Sequence, residues 1–269
     1  MQDWDDAYAN APYIHDSANY PNSWAQQAAA FRQNKQTQNQ YRRLQYGQHE
    51  REYMDLFLPA AAPQGLVVFV HGGFWRAFDP SYWSHLAAGA LALGWVVALP
   101  GYVLAPAALI SQMTQQIGAA IELAATQFAG PICLAGHSAG GHLVTRMVCT
   151  DSPLSSAVRE RLQAVTSISG LHDLRPLLKT AMNADWQMDW AEACAESPAL
   201  LEPLPNITVT CWVGAAERPE FIRQNDLLAL IWQGFEVEIQ AVHAPAAHHF
   251  NVIEPLTDPD SALLHSIIG

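Results

Sequence analysis

A serine hydroxyl attacks a carbonyl carbon only when a neighbouring base takes its proton and an acid holds that base in the right tautomer. Ser138 is placed for such work. It lies in Gly136-His-Ser-Ala-Gly140, directly after the apolar run Ile132 to Ala135 and ahead of the helical pattern Gly140 to Thr150. A chain that leaves a strand and turns sharply into a helix passes through strained backbone. Gly136 and Gly140 give it room, and the apex residue is pushed out of the sheet with its hydroxyl exposed. A carboxylate and two histidines follow in the order this chemistry requires. Glu217 sits in Gly214-Ala-Ala-Glu-Arg-Pro219, after the run Ile207 to Val213, and His248 and His249 sit in Ala246-Ala-His-His-Phe-Asn251. Asp173, in Ser169-Gly-Leu-His-Asp-Leu174, competes as the acid, although it also reads as a cap for a helix starting near Leu174. Glu217 is preferred because it follows the strand that carries the acid in this serine, acid, histidine order. His243 lies too close to a strand end, and His71, His137 and His142 read as structural hydrogen-bonding groups.

Acyl transfer also needs backbone N–H groups aimed at the developing oxyanion. Such a place is expected after the apolar run Leu66 to Val70, where the chain reads His71-Gly-Gly-Phe-Trp75. The expected donors are Gly73 and Phe74, with less weight on Gly72, together with Ala139, the residue after the nucleophile.

These stations need a scaffold. Continuously apolar runs at Tyr53 to Leu58, Leu66 to Val70, Trp95 to Leu99, Ile132 to Ala135, Val165 to Ile168, Ile207 to Val213 and Phe235 to Ile239 read as strands, most of them buried on both faces. Helical spacing recurs between them, at Tyr82 to Leu93, Ser111 to Phe128, Gly140 to Thr150 and Pro219 to Gln233. The alternation predicts an α/β fold with a mostly parallel central sheet covered by helices on both faces, and with its chemistry at the carboxyl ends of the strands. Residues 1–45 read as an N-terminal helical arm packed on a catalytic domain of residues 46–269. A helix is expected over Ser23 to Arg32, and Trp4, Tyr8, Tyr13, Tyr20, Trp24 and Phe31 are too many aromatic residues for a free tail.

With 269 residues, half of them hydrophobic, the chain has enough apolar mass for one large core. Its 25 acidic and 13 basic residues leave a net charge of −12, the wrong sign for holding a phosphate backbone, so nucleic acid is excluded as a partner. Cys133, Cys149, Cys194 and Cys211 form no CxxC pair, which suits a reducing compartment. The start of the chain lacks the features of a signal peptide, and no apolar run is long enough to span a bilayer. A cytoplasmic protein, monomer or homodimer, is expected, with a small-molecule acyl substrate and no metal or cofactor.

The Gly136 to Gly140 turn is the nucleophile elbow of α/β-hydrolases. Together with His71-Gly-Gly-Phe-Trp75, Ser169-Gly-Leu-His-Asp-Leu174, Val213 to Phe221 with Gln224, and His249-Phe250, it resembles the kynurenine formamidase (arylformamidase) group of that fold, kin of the hormone-sensitive-lipase-like esterases. The resemblance spans about residues 66–256, and Tyr20 to Trp24 matches bacterial members. It implies Ser138 as nucleophile, Glu217 as acid and His249, rather than His248, as base. The acid is usually Asp in animal members, and Phe74 stands where Tyr is common. The implied reaction is removal of a formyl group from an aryl amide such as N-formylkynurenine, with hydrolysis of short-chain esters as the alternative and a noncatalytic binder as a remote third. The aromatic residues near the loops, Phe74, Trp75, Tyr102, Trp186 and Trp190, read either as walls of the substrate pocket or as plain core and rim, with Trp75, Tyr102 and Trp186 taken as the pocket residues.

Overall fold

The computed structural model describes residues 3–269. Eight strands form one sheet in the order β1-β2-β4-β3-β5-β6-β7-β8. They are β1 (Tyr41–Gln45), β2 (Tyr53–Phe57), β3 (Leu66–Val70), β4 (Val96–Pro100), β5 (Ile132–His137), β6 (Leu162–Ile168), β7 (Thr208–Gly214) and β8 (Glu238–Ala244). Only β2 runs against its neighbours, pairing antiparallel with β1 and β4, and the other strands are parallel. The helices are α1 (Trp4–Tyr8), α2 (Tyr20–Thr37), α3 (Ala88–Ala92), α4 (Ile110–Gln127), α5 (Ala139–Arg146), α6 (Ser156–Arg159), α7 (Asn183–Trp186), α8 (Trp190–Ala195), α9 (Pro219–Trp232) and α10 (Ala262–Ile268).

The strands β3 and β4 carry apolar residues at every position because both faces are covered. Successive side chains point to opposite sides, so Val68 joins one apolar cluster with residues of α4, α5 and α9, whereas Val67 and Phe69 join another with residues of α2, α3 and α10. The expected α/β-hydrolase fold is what the chain adopts.

Three local readings differ. The last strand starts at Glu238, three residues after the expected Phe235, because Phe235 belongs to the turn that closes α9. Its sequence Glu-Ile-Gln-Ala-Val-His-Ala is an edge strand of alternating exposure, so the apolar-run signal pointed to the wrong place. In the N-terminal segment the helix is longer than expected, Tyr20 to Thr37. Its start is set by Pro21 in the first turn, and Ser23 is not a cap. The arm as drawn also includes β1, an edge strand of the sheet. Its Arg43 forms a paired contact with the buried Asp55 carboxylate of β2, Nε at 2.7 Å and Nη2 at 3.1 Å.

The arm is fastened by aromatic packing. Trp24, buried, lies 4.7 Å from the Trp83 ring and 5.4 Å from Phe250 between ring centres. On α1, the Tyr8 hydroxyl donates to Glu220 Oε1 at 2.8 Å, and its ring meets Phe221 edge-on. Asp6 pairs with Arg218 at 2.6 Å, and the same guanidinium lies over the Tyr13 ring. Among the described residues, no helix is long and apolar enough to cross a membrane.

Burial also sets a pH limit. Removal from water pushes His71 and His172 down to about 4 and His142 to about 3. His172 is satisfied as a neutral ring, with its nitrogens bonded to Ser167 Oγ and the Gln224 carbonyl. These folded values lie below the ordinary 6.5, so the unfolded chain binds more protons, and stability is complete above 6.5 and lost as pH falls toward 4. Stability from urea unfolding is expected to fall below pH 6.5. His172→Gln should flatten that slope by about 1.4 kcal/mol per pH unit, and an unchanged slope would show that His172 is not held neutral.

Candidate active site

The elbow forms because no side chain larger than hydrogen fits at its two ends. A Cβ on Gly136 would lie 2.1 Å from the Gly140 carbonyl oxygen, and one on Gly140 would lie 2.0 Å from the Val70 oxygen. The turn therefore packs directly against β3. Ser138 takes φ 56° and ψ −117°, a conformation that side chains rarely adopt. Its N–H donates to the Ile168 carbonyl of β6 at 2.8 Å, and its own carbonyl accepts the first helical bond of α5 from His142 at 3.1 Å. The N–H of Ala139, first residue of α5, has no partner within the helix and lies at its electropositive end.

Glu217 stands on the turn that follows β7, and its side chain is fully buried. One carboxylate oxygen accepts from the Gly214 N–H at 2.9 Å and from the Ser169 hydroxyl at 2.5 Å. The other accepts from His249 Nδ1 at 2.6 Å. That bond fixes the tautomer and leaves His249 Nε2 as an acceptor. The turn that carries His249 is itself clamped, since His137 Nε2 donates to the His249 carbonyl at 2.9 Å with the two rings 4.7 Å apart. Burial holds His137 neutral, well below the ordinary histidine range. Ser138 and His249 line one cavity.

The rival residues are occupied elsewhere. Asp173 binds the Arg175 guanidinium with both oxygens and accepts the Arg175 N–H in a local turn, while the cap position of the short helix Arg175–Lys179 is Leu174, so the expected capping role of Asp173 is not what forms. His248 hydrogen-bonds the Tyr20 hydroxyl at 3.2 Å, and its Nδ1 accepts the N–H groups of Phe250 and Asn251. His243 pairs with Asp226.

The loop after β3 presents Gly72, Gly73 and Phe74 to the cavity. Gly72 comes nearest to the elbow, where a Cβ would meet the Ser138 Cβ at 3.0 Å and the His137 carbonyl at 2.8 Å. The next residues all have positive φ: Gly73 115°, Phe74 50° and Trp75 57°. The Gly72 carbonyl is bound by His71 Nδ1 at 2.7 Å, and the Gly73 carbonyl accepts from Arg76 and Ala77, both at 3.0 Å. In a planar trans peptide the N–H points opposite to the preceding C=O. Fixing these two carbonyls therefore turns the N–H groups of Gly73 and Phe74 the other way.

The residues expected to wall the pocket divide. Phe74 lines the cavity, but Trp75, Tyr102 and Trp186 do not. All three are buried behind the loop and hold it in place. Tyr102 stacks on His71 at 4.6 Å and donates to the His71 carbonyl, Trp186 Nε1 donates to the Phe74 carbonyl at 2.7 Å, and Trp75 packs edge-on against Trp186 and His142. Trp190 is 63% exposed, on the outer surface of α8. The cavity, about 430 Å³, is walled instead by Tyr8, Trp24, Phe78, Trp83 and Phe250 besides Phe74, with Ala9 to Pro12 of the arm closing one side. The aromatic density of the arm signalled packing, but nothing in it signalled where.

The α/beta hydrolase fold family matches residues 67–218. The kynurenine formamidase of Salmo salar is 30% identical over 83% of this chain and 79% of its own length, and that of Danio rerio is 30% identical over 83% and 80%. A crystal structure from a Silicibacter species, described as a candidate thioesterase, superposes with a TM-score of 0.93 at 50% identity over the whole of both chains. Lactobacillus esterase B, at 19% identity over 93% of this chain and 90% of its own, shares the fold with a TM-score of 0.64.

The arrangement predicts separate outcomes for the two acids. Glu217→Gln is expected to lower turnover by about 10³–10⁴-fold, and Asp173→Asn to leave it near the parent value. Steady-state kinetics on both variants decides between them, and the reverse pattern would remove Glu217 from the site.

Proposed function

The chain belongs to the α/β-hydrolase family, in the group that holds the kynurenine formamidases, and is a hydrolase; from that premise we propose that it works by a serine triad and releases a formyl group from an aryl amide of the N-formylkynurenine kind. The observation that carries the reading is the 2.6 Å bond between His249 Nδ1 and Glu217, on a cavity wall shared with the strained Ser138.

In this reading His249 Nε2 takes the Ser138 proton as Oγ attacks the formyl carbon. Negative charge collects on the carbonyl oxygen, and the N–H groups of Gly73, Phe74 and Ala139 stabilise it, each worth about 2.7–4 kcal/mol at comparable sites. The imidazolium, held by Glu217, passes the proton to the aryl nitrogen as the C–N bond breaks. The aryl amine leaves, and a formyl ester remains on Ser138. Water, deprotonated by His249, then attacks that ester, and formate departs with Ser138 reprotonated. The aromatic walls of the cavity, formed by Tyr8, Trp24, Phe74, Phe78, Trp83 and Phe250, suit a flat aryl leaving group.

A second reading keeps the triad and changes the leaving group to an alcohol or a thiol. It is favoured by the 50% identical structure described as a thioesterase. Turnover of N-formyl-L-kynurenine, phenyl acetate and a short-chain acyl thioester by the purified protein separates the two, with Ser138→Ala as the blank. The formamide is expected to reach a kcat/KM of about 10⁴ M⁻¹s⁻¹ or more and to exceed the other two. Turnover of only the ester or the thioester would leave the triad standing and sink the formamide assignment.

A further inference from the structure

The motif Ser169-Gly-Leu-His-Asp-Leu174 drew attention through Asp173, yet it is the first residue that reaches the site. We infer that Ser169 is a positioning residue for the acid: its hydroxyl fixes and tempers the Glu217 carboxylate so that the His249 proton stays on the imidazole. The inference rests on the triad reading above and adds to it a fourth side chain.

Ser169 follows the last residue of β6 and is completely buried. Its N–H donates to the Trp212 carbonyl of β7 at 2.6 Å, which sets the residue beside the strand that leads to the acid. Its Oγ donates to Glu217 Oε1 at 2.5 Å, on the oxygen opposite the one that faces His249. The backbone around it takes φ 52°. A glycine occupies that region freely, whereas a residue with a Cβ does so at a cost of about 1 kcal/mol or more. Space alone therefore gives no reason for a serine, because glycine would relieve the strain, and the hydroxyl is the group that explains it.

The chemistry follows from the burial of Glu217. A carboxylate out of water held only by the Gly214 N–H and by His249 would draw the Nδ1 proton more strongly toward itself, and its Oε1 would rest on a single donor. A second donor on Oε1 spreads the negative charge and pins the carboxylate plane. The charges that face His249 are few. Glu217 comes from the turn after β7 and His137, held neutral, from the end of β5. The apolar Phe221 is what α9 presents, at 4.4 Å, and His248 is the neighbour in the chain. Losing the Ser169 donor leaves Oε1 on the Gly214 N–H alone, so the carboxylate is held less firmly against the imidazole.

The test uses Ser169→Ala and Ser169→Gly in the full chain, with Glu217→Gln beside them. The readouts are the melting temperature, kcat and KM for 4-nitrophenyl acetate, and the rate at which a fluorophosphonate labels Ser138, each followed against pH. Labelling needs the activated serine and no particular substrate. Both Ser169 variants are expected to lose about tenfold in plateau kcat and labelling rate, with KM nearly unchanged. Ser169→Gly should melt no lower than the parent, because it relieves the backbone. Parent-like rates in Ser169→Gly would overturn the inference, as would a loss of folding in that variant, which would make the hydroxyl structural. If Glu217→Gln labels as fast as the parent, the triad reading itself fails. A slow Glu217→Gln beside a parent-like Ser169→Gly removes Ser169 alone.

Discussion

A fully buried carboxylate is the constraint around which the site is organised. Glu217 has no side-chain exposure, and an ion removed from water costs several kcal/mol unless donors replace the solvent. Its three donors come from different parts of the chain: Gly214 at the end of β7, Ser169 after β6, and His249 beyond β8. They can converge only if these three strands are parallel, adjacent and in one register. Ile168 pairs with Trp212, and Gly214 with Ala244, so the carboxyl ends of β6, β7 and β8 finish at one level. One strand further along, the elbow joins the group when the Ser138 N–H binds Ile168. The order of the sheet is thus also the order of the groups proposed to act at the site.

A second constraint is steric. The elbow lies against Val70 so closely that Gly140 has no room for a methyl group, and the loop that follows Val70 runs through three positive φ values in succession. Strained backbone of this kind persists only when its surroundings over-determine it. The large buried aromatics supply that determination. Tyr102, Trp75 and Trp186 tie down His71 and the Phe74 carbonyl from behind, so their bulk acts on the substrate site at one remove, through the orientation of N–H groups.

That indirect role explains what could be read in the sequence and what could not. Ser138 and Glu217 could be picked out as candidates because each sits just past an apolar strand, and such strand ends are recognisable from composition, whereas the choice of His249 over His248 came from the family resemblance. The strands β3 and β4 and the helices α4 and α9 were found to within a residue for the same reason. Trp75, Tyr102 and Trp186 misled because an aromatic residue near a catalytic loop has two places to go, into the cavity or under the loop, and its neighbours in sequence are the same in both. β8 was misplaced because an edge strand lacks the unbroken apolar run of its buried neighbours. The walls from Tyr8 to Pro12 and Trp24 were out of reach because they depend on where a segment more than one hundred residues away folds back.

The way that segment is held gives it more than a covering role. The arm grips Arg218 and Glu220, through Asp6 and Tyr8, and these two residues directly follow the acid in Glu217-Arg-Pro-Glu220. Glu220 is also bound by Arg223 and Gln224, and the Gln224 amide reaches back to the Asp173 carbonyl and the Tyr8 hydroxyl. The wall of the cavity and the turn that carries Glu217 therefore share one hydrogen-bonded frame at the start of α9. A leaving group that fills the aromatic cavity bears on Tyr8, and Tyr8 bears on Glu220, three residues from the carboxylate. In the proposed reaction, recognition of the leaving group and orientation of the base would draw on the same few residues, because the cavity wall and the Glu217 turn are both fastened by the arm.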